Sequence, residues 1–227
     1  MKNVVFAKGL CYYKIFCVFV IGAIIGDIVE TLFCYKKYKK WKSRSSFIYG
    51  HMSIVWGGAF LIATILGYYI GEWDFVIICI LGIICGGIYE YMCSVLTEIF
   101  MGVKFWDYSK MPYNVAGRIN LKYCLYWGLA TALWIKIIFP IVETGIEKIP
   151  VKQGTIICNI ASILLLIDAL LSIMAIRRYI ERSKGYYSKN YIWNYFDRVY
   201  PDERIEKIYP DISICGDVNK TVYMTVQ

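Results

Sequence analysis

The sequence predicts an all-α, polytopic membrane protein with about five transmembrane helices. Hydrophobic residues make up 59% of the 227 residues, above the share typical of soluble domains, and the mean hydropathy is +0.51. Apolar windows of about 20 residues, long enough to cross the hydrocarbon core of a bilayer, recur along the chain. Only 19% of the residues are charged. They concentrate between and after these windows, which is typical of a membrane protein with basic cytoplasmic loops.

The predicted spans are residues 11–33, 53–70, 75–99, 121–142 and 155–176. Basic residues cluster in the first connection, in the third connection and after the fifth span. These residues are Lys36, Lys37, Lys39, Lys40, Lys42 and Arg44; Lys104, Lys110, Arg118 and Lys122; and Arg177, Arg178, Arg182 and Lys184. Positive loops face the cytoplasm. The chain is therefore expected in the cell membrane with its N-terminus and Trp73 outside, and its C-terminus and Ser188 inside.

The polarity of the chain changes after the fifth span. We predict a transmembrane domain over residues 1–178 and a cytoplasmic C-terminal tail over residues 179–227. Tyr187, Tyr191, Trp193 and Phe196 recur at short spacing between basic residues. This pattern favours an amphipathic helix or two on the membrane surface.

The first and third spans share a G-x-x-x-G pattern followed four residues later by Glu. The positions are Gly22, Gly26 and Glu30 in the first span, and Gly82, Gly86 and Glu90 in the third. Residues four apart lie on one helix face, and small residues allow another helix to approach closely. The following spans carry Trp56-Gly57 and Trp127-Gly128. The sequence thus favours a duplicated two-helix unit plus one further helix, related by an axis along the membrane normal.

Each glutamate has two interpretations. In one, Glu30 and Glu90 are packing residues that reach the cytoplasmic surface. In the other, they form a shared polar site, because ionisable residues within membrane spans usually mark functional positions.

The loop after the third span contains the other candidates. Trp106 and Tyr108, with Trp127, are typical interface anchors. Three polar residues of this loop, Asp107, Asn114 and Arg118, have two interpretations. Either they pair with one another within the loop, or they form a cytoplasmic rim that binds an anion or a partner subunit. We expect Arg118 to pair with Glu90. The candidate polar site is Glu30, His51, Glu90, Asp107, Asn114 and Arg118; no catalytic residue, metal ligand or cofactor is predicted.

Three stretches resemble one family: "FWDYSKMPYNVAGRINLKYCLYWG", "SSFIYGHMSIVWG" and "YFDRVYPDERIEKIYPD". They are similar to the CmpB-like family of bacterial membrane proteins described as ABC-transporter permeases, over residues 21–211. The resemblance implies a multi-pass transport protein. The residues that match the family pattern are Glu30, Gly50, Gly57, Glu90, Trp106, Asp107, Tyr108, Asn114, Gly117, Arg118 and Trp127. His51 and Ile54 stand where the family usually has Pro, and Asp27 where it often has Trp.

Three functions are open from the sequence. The first is a permease-like transport subunit. It depends on a separate ATPase chain, because no G-x-x-x-x-G-K-[ST] loop occurs in this sequence, or on self-assembly into a homodimer, because five spans are few for a complete pathway. The second is a membrane-embedded enzyme acting on a lipid or isoprenoid phosphate, with Glu90 or Asp107 as base and Arg118 holding phosphate. The third is a non-catalytic scaffold or sensor. The expected partners are membrane lipids, and nucleic acid is not among them.

Overall fold

The structure is a computed structural model that describes residues 5–39, 41–187 and 190–215. Its helices, α1 to α8 in chain order, are Tyr12–Tyr38, Ile54–Ile70, Phe75–Met101, Leu121–Leu133, Phe139–Glu147, Val151–Ser183, Tyr191–Val199 and Asp202–Ile208. The strands β1 to β4 are Val103–Lys104, Asn114–Val115, Ile119–Asn120 and Ser213–Ile214. Each strand has two residues and pairs with one other strand.

Four helical stretches of the described residues are long and apolar enough to cross a membrane. They are Tyr12–Lys36, Phe75–Met101, Leu121–Glu147 and Val151–Ser183. The remaining predicted span corresponds to α2, which has 17 residues and stands at the short end of the usual range for a transmembrane helix. The predicted class, an all-α polytopic membrane protein, is confirmed.

The fourth span is continuous although α4 and α5 are separate α-helices. A π-helical turn, Trp134–Ile138, joins them. Pro140 lies in the first turn of α5. Proline has no amide hydrogen to donate to the carbonyl four residues earlier, and a wider π turn is one way in which a helix accommodates the lost bond. The span therefore reaches Glu147 rather than ending at residue 142.

The helices pack as two antiparallel pairs, α1 with α2 and α3 with α4, and α6 lies against α1 and α3. A buried aromatic stack of Phe60 on Trp134, with ring centroids 4.3 Å apart, lies in the core. The short turn between α2 and α3 makes α1 and α3 run in the same direction. At the beginning of α1, the buried Lys14 contacts Glu143 and Glu147 of α5 at 2.9 Å each.

A second hydrophobic core, which we call the cap, lies at the other end of the bundle. It joins the last three turns of α6 to α7, α8 and the β1–β4 pair, in which Val103 lies opposite Ile214. Phe196 and Ile205 are buried in it. The tail therefore folds onto the protein and shares a strand pair with the loop after α3.

The sequence-based boundaries of the tail need adjustment. The position between residues 178 and 179 lies inside α6, which continues to Ser183. Tyr187 and Tyr191 are exposed while Phe196 is buried, so the recurring aromatics do not share one face. Residues 216–227 of the predicted tail lie outside the described residues, and the division into two domains stays a prediction.

Candidate functional site

A cavity of about 330 Å³ lies where the helix bundle meets the cap. Its walls come from α1 to α4, α6, the first and third connections and the segment after α8. Most of the lining is apolar or aromatic. The charged side chains that line it, among the described residues, are Glu30, Arg44, Glu90 and Asp211. Both glutamates of the repeated sequence pattern therefore face one space.

The two glutamates have equivalent partners in the two helix pairs. The Trp56 indole N–H donates to Glu30 Oε1 at 2.6 Å, and the Trp127 indole N–H donates to Glu90 Oε2 at 3.0 Å. The two indole rings then contact each other, with centroids 4.9 Å apart. The matching Glu–Trp hydrogen bonds meet at this contact, so the two helix pairs have the same local arrangement here.

The glycines before each glutamate explain how the paired helices come so close. A Cβ on Gly26 would lie 2.1 Å from Trp56 Cβ, and one on Gly86 would lie 2.5 Å from Trp127 Cβ. One turn earlier, Gly22 faces Phe60 in the same way that Gly82 faces Thr131. Small residues at such positions allow helix backbones to pack closely within a membrane. The G-x-x-x-G face therefore positions each tryptophan beside its glutamate.

Glu90 has a second hydrogen-bond partner, which comes from the loop after α3. The Tyr108 hydroxyl donates to Glu90 Oε1 at 2.9 Å, so both oxygens of this carboxylate are hydrogen-bonded. Burial and the proximity of Glu90 raise the pKa of the Tyr108 hydroxyl well above its usual value. The hydroxyl therefore stays protonated and acts as a donor.

Arg44 and Asp211 form an ion pair on the cap side of the cavity, with Arg44 Nη2 2.8 Å from Asp211 Oδ2. Lys42 contacts the other oxygen of Asp211 at 2.7 Å. Burial lowers the pKa of Arg44, but Asp211 and Glu30 outweigh this effect and raise it. The guanidinium is thus charged and links the first connection to the segment after α8.

The expected pair between Glu90 and Arg118 is wrong. Arg118 forms a salt bridge with Glu98, donates to Ser94 Oγ at 3.1 Å and lies over the Tyr91 ring. Glu98 lies two turns beyond Glu90 on α3, closer to the loop that carries Arg118. Glu90 faces Trp127 and Tyr108 instead.

Two other candidates in this loop organise its backbone. Asp107 is exposed and accepts from the Ser109 amide at 2.8 Å, while Asn114 donates to Met111 O at 2.7 Å and accepts from the Gly117 amide at 2.9 Å. Gly117 has a φ of +67°, and a Cβ there would lie 2.5 Å from Asp107 Oδ1. The turn therefore requires glycine at this position.

The remaining candidates divide between the cavity and the surface. His51 is exposed and does not line the cavity. Trp106, Tyr108 and Trp127 line it, and Trp127 is only 8% exposed, so these rings are internal rather than lipid-facing anchors. Trp106 also donates its indole N–H to Arg118 O at 2.9 Å. The structure thus places Glu30, Glu90 and the three aromatic residues around the cavity. The other candidates lie outside it: His51, Asp107, Asn114 and Arg118.

Asp168, which is not among the sequence-predicted site residues, fixes one wall of the cavity. Asp168 lies on α6 and accepts from the Gly50 amide at 2.8 Å and from the Tyr49 amide at 3.3 Å. Ser172, one turn later, accepts from the Ile48 amide at 3.0 Å. These bonds hold the first connection against α6. The sequence signal that could have identified Asp168 was an acid within an apolar helix, followed four residues later by Ser.

Within residues 5–39, 41–187 and 190–215, no group of three or more His, Cys, Asp and Glu side chains is placed to hold a metal ion. The site offers carboxylates, indole N–H groups and apolar walls.

The multi-pass helix bundle encloses an internal, partly charged cavity, and the family match identifies it as a membrane transport-type protein. The chain belongs to the family described as "Putative ABC-transporter type IV", whose model matches residues 17–173. This range begins within the first turns of α1, covers α2 to α5 and includes most of α6. No curated protein and no solved structure gives a significant match.

Proposed function

We propose that this protein is a permease-like transport subunit of the cell membrane and that the cavity between bundle and cap is its substrate-binding site. The observation that carries the proposal is the cavity itself. Its lining includes Glu30 and Trp56 from the first helix pair and Glu90 and Trp127 from the second. Ligand sites at the interface between repeats are typical of transporters, since a relative movement of the halves alters access to the site.

A separate chain is the proposed source of energy. The sequence contains no phosphate-binding loop of the G-x-x-x-x-G-K-[ST] type, so ATP would be hydrolysed by a partner chain. Self-assembly into a homodimer would instead supply the further helices that a complete pathway needs. The cap is the proposed docking surface for the partner chain that hydrolyses ATP, because it joins the tail to the loop after α3 through the β1–β4 pair.

The test is ATP hydrolysis by the full chain purified from its own host membrane in lipid discs. We expect a co-purifying ATPase chain and vanadate-sensitive hydrolysis, whereas the chain produced alone in another host should have neither. Retention and turnover of a phospholipid without any ATPase chain would replace the transport proposal by an enzyme.

The geometry gives less support to such an enzyme. Arg118, the expected phosphate ligand, is held by Glu98, and Asp107 is exposed in the loop. Neither residue lines the cavity that contains Glu90. The residues that the reaction would require are therefore not assembled in one place.

The proposed orientation places the N-terminus outside the cell and the cap in the cytoplasm. Ser188 lies outside the described residues, so Tyr187, which is 78% exposed, serves as the inner position. In a Cys-free background, Trp73→Cys should react with an impermeant maleimide on intact cells and Tyr187→Cys only after permeabilisation. Labelling in the reverse order would show that the orientation is inverted.

A further inference from the structure

We propose that the cavity binds an organic monocation with an apolar body, with the positive charge placed against Glu30. The proposal specifies the substrate class of the transport site proposed above and rests on that function. It follows from three features of the lining: its charge, the free oxygen of Glu30 and the surrounding indole rings.

The charge of the lining is negative once internal pairs are taken into account. Among the described residues, three carboxylates and one guanidinium line the cavity. Arg44 and Lys42 both form salt bridges with Asp211, so this cluster contributes one positive charge against the two carboxylates of Glu30 and Glu90. Glu30 and Glu90 receive hydrogen bonds only from neutral donors, the indoles of two tryptophans and the Tyr108 hydroxyl. A cationic guest would compensate the carboxylate charge, whereas an anion would add to the repulsion.

The two glutamates differ in what they offer a guest. Both oxygens of Glu90 are occupied, by Tyr108 and Trp127. Glu30 accepts through Oε1 alone, and its Oε2 has no hydrogen-bond partner in the described part of the chain. Glu30 is therefore the carboxylate that contacts the guest, and Glu90 fixes the position of Trp127.

The rest of the lining suits a cation that carries apolar groups. Trp56, Trp106 and Trp127 line the cavity together with apolar side chains such as Leu96 and Ile173. Aromatic rings attract cations, most strongly where water is excluded, and tryptophan is the best ring for this purpose. A volume of about 330 Å³ fits a small organic molecule rather than a bare metal ion.

The experiment compares two probes of similar size and opposite charge, benzyltrimethylammonium and benzoate, on the full chain in detergent micelles. Binding is followed by the change in tryptophan fluorescence and, independently, by titration calorimetry. We expect saturable binding of benzyltrimethylammonium that is about tenfold or more tighter than that of benzoate, which corresponds to about 1.4 kcal/mol. This comparison on the unmodified protein requires no variant to fold.

Two matched substitutions test whether Glu30 supplies the negative charge that binds the cation. Glu30→Gln keeps an acceptor oxygen for the Trp56 indole but removes the negative charge, and should weaken benzyltrimethylammonium binding about tenfold. Glu147→Gln makes the same chemical change outside the cavity, where Lys14 retains Glu143, and should leave binding within about twofold.

Equal binding of both probes, tighter binding of benzoate, no binding of either, or an unchanged affinity in Glu30→Gln would each overturn the proposal. None of these results bears on whether an ATPase chain co-purifies. The substrate class and the transport function are therefore tested separately.

Discussion

Replacement of Arg178 by Gln is expected to lower the free energy of unfolding of the cap by about 3–5 kcal/mol, the usual cost of removing one partner from a buried ion pair. Arg178 is only 1% exposed. Its guanidinium donates to both oxygens of Asp197, at 3.0 and 2.6 Å, and also contacts Glu181. The substitution leaves Asp197 with Arg182 alone and removes the main ionic link between α6 and α7.

The measurement is thermal unfolding of the purified protein together with limited trypsin digestion. Lys184 is exposed just after α6, so a loosened cap should be cut there faster. Arg177→Gln is the matched control, because Arg177 is 69% exposed and pairs with Glu181 at the surface, where ion pairs contribute about 0–1 kcal/mol. Equal stability of the two variants would show that the cap is not held by the buried pair.

The same pair predicts how the cap responds to acid. Burial raises the pKa of the Asp197 carboxyl, but the hydrogen bonds from Arg178 and Arg182 outweigh burial and lower it below the usual value. A lowered folded-state pKa stabilises the protein above the unfolded-state pKa of about 3.9, and this stabilisation is lost as the pH falls through the folded-state value. Acid should therefore destabilise the unmodified cap more than that of Arg178→Gln.

Much of the bundle could be predicted from the sequence because hydropathy and small-residue spacing are local signals. The windows at residues 75–99 and 155–176 lie within α3 and α6, and the repeated G-x-x-x-G–Glu spacing located both helix contacts. The ends of the spans were less accurate. The apolar signal stops at the membrane surface, whereas α6 continues to Ser183 because the cap covers its last turns.

The site was only partly predictable, for a physical reason. Glu30 and Glu90 stand out because acids are costly in apolar helices. Arg44 and Asp211 do not, since a basic loop and a tail of mixed charge each look like ordinary solvated segments. Their contact joins residues 167 positions apart in the chain, and nothing in the local sequence specifies such a pairing. The Glu90–Arg118 expectation failed for the same reason, because Glu98 is an equally suitable local partner for Arg118.

Equivalent packing of the two helix pairs predicts that two glycines respond alike to substitution. Gly26 and Gly86 occupy equivalent positions, one turn before Glu30 and Glu90. At each, a Cβ would lie 2.1 or 2.5 Å from the Cβ of the facing tryptophan. These are distances to atoms fixed close to the backbone, which cannot move away by a simple rotation of the side chain. A methyl group would therefore push the paired helices apart.

Gly26→Ala and Gly86→Ala should each lower the thermal stability of the purified protein by at least about 1–3 kcal/mol, the usual cost of overpacking a core. Each should also alter tryptophan fluorescence, because the Glu30–Trp56 or Glu90–Trp127 bond would lengthen. Gly145→Ala is the matched control: Gly145 lies in α5 with no atom within 4 Å of an added Cβ. There the change should be neutral or slightly stabilising, since alanine favours helix by about 1 kcal/mol over glycine. If only one of the two substitutions lowers stability, the helix pairs are not equivalent in packing. If neither does, the close helix contact proposed to position the tryptophans is wrong.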